Sequence, residues 1–412
     1  MAVGAGKVQE MPLKVCYLST GIMDTAFDSQ VWPLLEAGLQ SGLDLVHFAL
    51  SPFRSQITDR YLRMKEQLES TAIKTLYFQQ GPPVSRFFLR RDTKRMVPFL
   101  RKWWGGKERL VIHCRGHLNA YRGLLLQETN PALIAAIADL RGAVSDEAGQ
   151  GRGLLAKGVG RYLGYFYQQI ERHVVERADA ILCVSHAFKE FLHTRYDLKN
   201  LMIIPTYVDT SRFSFSHSLR QLYREKLRIA DRTVVTYSGG IAPWQRIENT
   251  IDLFIKLKEN AADLFMLFLT QEPAQLRKMI GGKIHPNDFT VLQVPHREVP
   301  GYLSAADVGV LLREDRLTNH VAAPIKFSEY MCCGLPCILS KNIGDTAQVI
   351  QEIGAGIVLD SEGKVPSVSE IRGLLALNRE EISKWMHKKY SSNLYFEKIL
   401  RLYRTLAEGG LA

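Results

Sequence analysis

Short runs of apolar and β-branched residues recur along the chain, each followed by a polar or glycine turn and then by a stretch with helical spacing. Leu13–Leu18 is the first run, and Gly21 stands just past its end. A helix is expected from about Ser29 to Gln40, ending near Gly42, with a second strand over Asp44–Leu50. A strand, a glycine turn, a helix and a strand in that order open a doubly wound parallel sheet. The turn lacks G-x-G-x-x-G, so it does not read as a nicotinamide site. Ile73–Phe78, Leu110–Cys114, Ile134–Asp139, Ala180–Val184 and Met202–Ile204 continue the strands. Amphipathic stretches lie over Arg54–Glu69, Val84–Trp104 and Gly160–Arg177, and Ser185 reads as a helix cap. The pattern then restarts. Val234–Tyr237, Phe265–Leu269, Phe289–Gln293, Val308–Leu312, Cys337–Ser340 and Ile357–Leu359 are the expected strands. Asp345–Glu352, Ser369–Leu377 and about Glu380–Ala407 are the expected helices. The chain has 412 residues, too many for one ordinary core, so the fold class is α/β with two doubly wound domains.

The most informative stretch is A-P-I-K-F-S-E-Y-M-C-C-G-L-P-C-I-L-S, Ala323–Ser340. Pro324 suits the first turn of a helix, Gly334 the left-handed position after its end, and Pro336 blocks continuation. Lys326 and Glu329 are three apart and share a face. A lysine in the first turn is disfavoured by the helix dipole, but it equips that end to hold an anion. A carboxylate one turn on can accept from paired hydroxyls, so the two together suit a nucleoside diphosphate. The same spacing also fits an ordinary surface ion pair. Elsewhere, H-C-R-G-H places His113, Arg115 and His117 at a strand's C-terminal end, and D-L-R-G places Asp139 and Arg141 at another. Open α/β sheets bind ligands at such ends. Ser238-Gly239-Gly240 is a glycine turn that lets backbone amides approach phosphate.

The segment P-I-K-F-S-E-Y-M-C-C-G-L-P-C-I resembles the donor-binding motif of family 4 glycosyltransferases, especially those that build bacterial surface polysaccharide and lipopolysaccharide. The resemblance implies a GT-B fold: two facing Rossmann-like domains with a nucleotide-sugar cleft between them. It implies a first, acceptor-side domain over residues 1–205, a donor domain over 206–387, and a last helix of about 388–412 returning to the first. Lys326 would bind donor phosphate and Glu329 the ribose, with Gly21, Gly239 and Gly240 close to the donor. Arg246 stands where relatives have a lysine, and Arg313 is expected to supply the cation that Gly240 replaces. Pro295–Val299 falls where the base-contacting loop of relatives sits. His113, Asp139 and Arg141 become the catalytic candidates on the acceptor side. Relatives often carry a second glutamate, separated from the one at Glu329 by seven residues; here that position is Val321. The resemblance implies transfer of a sugar from a nucleotide-sugar donor, most often UDP-linked in relatives, to a glycan or lipid-linked acceptor, with retention and without a metal or other cofactor. A catalytically degenerate binding subunit and a nucleotide-sugar 2-epimerase are the alternatives.

Charge adds one feature. The formal net charge is +11, which fits an anionic partner. Val84–Trp104 carries seven Arg and Lys, five large aromatics and one acid, Asp92. On a helix this composition suits an anionic membrane surface, and equally an amphipathic helix packing its aromatics inward. No nucleic-acid motif occurs. No run of about 18 apolar residues and no apolar leader are present, so the expected location is the cytoplasm, with peripheral attachment to the inner membrane face. The six cysteines show neither a C-x-x-C pair nor partnered histidines and read as reduced core residues, with no metal site.

Overall fold

The computed structural model describes residues 13–21, 27–51, 62, 65, 66, 68–82, 84–148, 154–360 and 364–410. Most of the expected amphipathic stretch Arg54–Glu69 lies outside them. The chain forms two compact units. The first comprises Met1–Leu182, Tyr196–Met202 and Phe396–Ala412; the second comprises Cys183–Arg195 and Ile203–Tyr395.

The first sheet holds β1 (Lys14–Thr20), β2 (Asp44–Ser51), β3 (Lys74–Gln79), β4 (Leu110–Arg115), β5 (Ile134–Leu140), β6 (Ala180–Cys183) and β7 (Leu201–Ile203), in the order β3-β2-β1-β4-β5-β6-β7. β1 pairs in parallel with β2 on one side and β4 on the other, so the winding reverses between β1 and β4. Such a reversal opens a crevice at the strands' C-terminal ends. Strand β5, I-A-A-I-A-D-L, is buried at all seven positions, as expected of a parallel strand covered on both faces.

The second unit repeats the plan with β8 (Thr233–Ser238), β9 (Leu264–Leu269), β10 (Phe289–Leu292), β11 (Val308–Leu311), β12 (Cys337–Ser340) and β13 (Gly356–Leu359), in the order β10-β9-β8-β11-β12-β13. Here the reversal falls between β8 and β11. The two parallel doubly wound sheets make this an α/β protein.

Three details differ from the expected elements. The C-terminal helix is two helices, Arg379–Tyr390 and Ser392–Ala407. They part because Ser391 is extended and pairs with Val208, whose carbonyl accepts from the Ser392 N–H at 2.9 Å. Residues Cys183–Arg195, expected with the first domain, belong to the second unit. Asp345 accepts from the backbone N–H groups of His186 and Ala187 at 2.7 and 3.0 Å, and Ser185 Oγ donates to the Val321 carbonyl at 2.7 Å. Helices His117–Gln127, His217–Leu227, Pro273–Ile280 and Val299–Ala305 had not been expected.

Arg379 joins two helix ends. Its guanidinium donates to the carbonyls of Leu303, Ser304 and Ala306 and to those of Cys333 and Gly334, at 2.6–3.1 Å. It satisfies carbonyls that a helix C-terminus leaves unpaired. All six cysteines are buried and free.

Candidate functional site

Helix Ile325–Cys332 starts with Pro324 at its N-cap, so Lys326 and Glu329 sit in its first turn and a half. Both side chains are buried, at 7% and 5% exposure. They are not paired with each other. Lys326 Nζ donates to Gln245 Oε1 and, at 3.4 Å, to the Tyr237 hydroxyl; it also lies 4.5 Å above the Tyr237 ring. Glu329 Oε1 bonds His296 Nε2 at 2.8 Å. The surface ion pair left open by the spacing is therefore excluded. Burial, and next the nearby positive charge of Arg313, push the Lys326 ammonium well below its usual range, with Glu329 opposing. A lysine desolvated in this way gains most from an incoming anion.

The glycine turn after β8 fits around that lysine. Gly239 has φ +146°, and a Cβ there would stand 2.1 Å from Lys326 Nζ. The end of β8 is tied to the same helix, because the Ser238 N–H donates to the Tyr330 hydroxyl at 2.6 Å. Tyr330 in turn lies where a Cβ on Gly309 of β11 would meet its ring at 2.6 Å. Helix, turn and two strands thus hold Lys326 against Gly239. Gly240 is close by, its carbonyl accepting from the Tyr237 hydroxyl.

Arg246 and Arg313 are placed differently. They line a cavity of about 400 Å³ whose lining includes neither Lys326 nor Glu329. Arg246 adopts a left-handed conformation, φ +48°, and its Nε donates to Asn249 Oδ1 at 2.8 Å. Val321, standing where relatives often have a glutamate, is buried; its carbonyl accepts from Ser185 Oγ and its N–H donates to the Leu317 carbonyl at 3.1 Å.

In the first unit, Gly21 ends β1 with φ +77°, its N–H bonded to the Leu50 carbonyl at 3.1 Å. His113, Asp139 and Arg141 do come together. Arg141 Nη2 donates to Asp139 Oδ2 at 2.8 Å, Arg115 Nη1 is 3.5 Å from the same oxygen, and His113 Nε2 is 3.4 Å from it. His113 Nδ1 meets the Tyr403 hydroxyl at 2.7 Å. Burial alone would push the Asp139 carboxyl up, but Arg141, His113 and Arg115 outweigh it and hold it far below the usual carboxylate range. Burial pushes His113 down, so it is neutral. His113 and Asp139 have almost no exposed surface, whereas Arg115 and Arg141 keep about one sixth of theirs. His113 and Asp139 are thus enclosed, and of this group Arg115 and Arg141 are the side chains that reach the surface.

His296, Gln245 and Tyr237 were not singled out as partners of Lys326 or Glu329. His296 lies in the loop Pro295–Val299, but nothing in the sequence pairs it with a residue thirty-three positions away. Among the described residues no group of His, Cys, Asp and Glu is arranged to hold a metal ion. Among them, too, no helix is long and apolar enough to cross a membrane.

The helix Arg86–Trp104 carries the basic surface. Its buried side includes Leu89, Met96, Leu100, Trp104 and Asp92, whose Oδ2 accepts from the Gly81 N–H at 2.8 Å. Its outer side exposes Arg86, Arg90, Lys94, Arg95, Arg101 and Lys102. Phe87 and Phe99 join them at 70% and 50% exposure. Helix Leu154–Arg177 adds exposed Val159, Tyr162 and Tyr165, and the Tyr162 hydroxyl donates to the Val84 carbonyl at 2.9 Å. The aromatics thus divide: the tryptophans turn inward and two phenylalanines outward.

Residues 220–389 match the family described as glycosyl transferases group 1, and residues 76–212 match glycosyltransferase family 4. No curated protein matches the chain. Among solved structures, sucrose-phosphate synthase of Thermosynechococcus elongatus superposes with a TM-score of 0.71 at 16% identity, over 97% of this chain and 100% of that one. Anabaena HepE in complex with UDP gives 0.70 at 14% identity, over 95% and 100%. WaaG, a glycosyltransferase involved in lipopolysaccharide biosynthesis, gives 0.59 at 12%, over 96% and 95%.

Proposed function

Because this chain is a glycosyltransferase of the family 4 type with the GT-B fold, we propose that it transfers a sugar from a UDP-linked donor to a glycan or lipid-linked acceptor, with retention and without a metal ion. The observation that carries the donor half is the placement of Lys326 and Glu329 on one helix, each buried against a different partner. The donor diphosphate would lie on Lys326 and the amides after Gly239, in the way cations and backbone dipoles stabilise a leaving anion. Glu329 has a second oxygen to accept ribose hydroxyls while His296 fixes the first. HepE, solved with UDP and with UDP-glucose, supports the choice of nucleotide. On the acceptor side Arg141 and Arg115 would bind, with Asp139 and His113 positioning them from behind. The leaving phosphate would take the acceptor's proton.

The test is turnover of UDP-glucose and UDP-N-acetylglucosamine with polysaccharide and lipid-linked acceptors, with and without EDTA. Transfer that continues in EDTA is expected. Loss of all turnover on chelation, restored by Mg²⁺ or Mn²⁺, refutes the metal-free mechanism. Conversion of UDP-N-acetylglucosamine without any acceptor would make the protein an epimerase instead.

The exposed cations and phenylalanines of Arg86–Trp104, extended by Tyr162 and Tyr165, fit an anionic membrane surface carrying the acceptor. Each Arg or Lys near such a surface contributes about 1 kcal/mol. Co-sedimentation with phosphatidylglycerol vesicles at low salt is expected, and changing Phe87, Arg86, Arg90 and Lys94 together to Ser should abolish it. All four side chains are exposed or nearly so, so UDP affinity should not change. A wild-type protein that stays in the supernatant points to a soluble acceptor.

A further inference from the structure

The cavity that Arg246 and Arg313 line is unexplained by the donor site. It lies in the second unit beyond the C-terminal ends of β11, β12 and β13, against the helix Ile247–Asn260. Leu253, Leu312 and Leu359 give it an apolar floor. Its volume of about 400 Å³ falls within the range of small-molecule pockets, roughly 300–1,000 Å³.

Its charge is the informative part. Among the described residues five cations line it, Arg246, Lys256, Arg313, Lys341 and Lys364, against three acids, Asp252, Asp315 and Asp360. One of the acids is already engaged, since Asp315 pairs with His320 and accepts from Asn342. Arg313 is half-buried, its Nε is enclosed without a hydrogen-bond partner, and among the described residues no carboxylate pairs with its guanidinium. A guanidinium withdrawn from water without an anion is costly, and its fork geometry matches a phosphoryl group. Lys256 and Lys364 stand exposed at the rim with no salt bridge among the described residues.

We propose that this cavity binds a small organic phosphate, with the phosphoryl group on Arg313 and the body of the molecule against the leucine floor. The rim lysines complete the charge, and Asn249, Ser340 and Asn342 offer hydrogen bonds to hydroxyls on the body.

Isothermal titration with glucose 6-phosphate, using the full chain with and without saturating UDP, tests the proposal. UDP titrated alone reports the donor site independently, so failure of one reading leaves the other visible. Glucose 6-phosphate should bind with UDP present, at least tenfold more tightly than inorganic phosphate. The double variant Lys256→Ser, Lys364→Ser should lose at least tenfold for glucose 6-phosphate while keeping its affinity for UDP. Three results would overturn the proposal: no binding, displacement by UDP, or unchanged affinity in the double variant. Equal affinity for inorganic phosphate would overturn the organic part of it.

Discussion

Lys326→Ala should weaken UDP binding by roughly 10- to 100-fold, corresponding to about 1.5–3 kcal/mol for a hydrogen bond to a charged group. The fold should survive, since the lysine's partners are the neutral Gln245 and Tyr237. Gly239→Ala is the sharper test. It leaves Lys326 in the chain, yet its Cβ would fall 2.1 Å from Nζ on a backbone at φ +146° that side chains rarely adopt. Its loss of UDP affinity should therefore match that of the lysine variant. A second readout follows from the depressed ammonium. Phosphate beside Lys326 raises its proton affinity, so UDP binding at a pH below the ordinary lysine value of 10.5 should take up protons, and the calorimetric heat should change with the buffer's ionisation enthalpy. Lys326→Ala should abolish that dependence. Undiminished UDP affinity in both variants would remove Lys326 from the donor site.

Asp139→Ala should destabilise the first unit by about 3–5 kcal/mol, the usual cost of removing one partner from a buried ion pair. Arg141 and Arg115 would be left facing each other beside His113 with no anion between them. The pH dependence has a definite sign. The folded carboxyl lies below its unfolded value of about 3.9, so its contribution is complete above that pH and is lost as the pH falls below it. Urea denaturation of the two proteins at pH 7 and near pH 3 should show a gap that narrows in acid. A variant that loses transfer activity but keeps wild-type stability would mean that Asp139 acts on substrate directly.

The strands were legible because parallel strands covered on both faces are written as unbroken apolar runs; β5 and β9 are buried at every position. Lys326 and Glu329 were legible because the turn residues Pro324 and Gly334 fix the helix around them. What remained hidden depends on contacts distant in sequence. Glu329 finds His296, and His113 finds Tyr403 at a separation of 290 residues. The break at Ser391 arises from a bridge to Val208, and no helix-breaking residue marks it. Arg246 and Arg313 looked equivalent to Lys326 by motif position, yet the geometry of the loop after β8 turns Arg246 toward Asn249. Strand-end position locates a residue at the rim of the sheet, but not the side of the rim it faces.

The six thiols offer a direct view of breathing. Each is enclosed in a core, and burial holds those of Cys16, Cys114, Cys332, Cys333 and Cys337 far from the thiolate form that reacts. Cys16 and Cys114 report on the first unit, and Cys332, Cys333 and Cys337 on the second. A maleimide or disulfide reagent can therefore modify the native protein only during an excursion that exposes a core. The labelling rate at each cysteine becomes a clock for the opening of the unit that houses it, in wild-type protein and without an introduced probe.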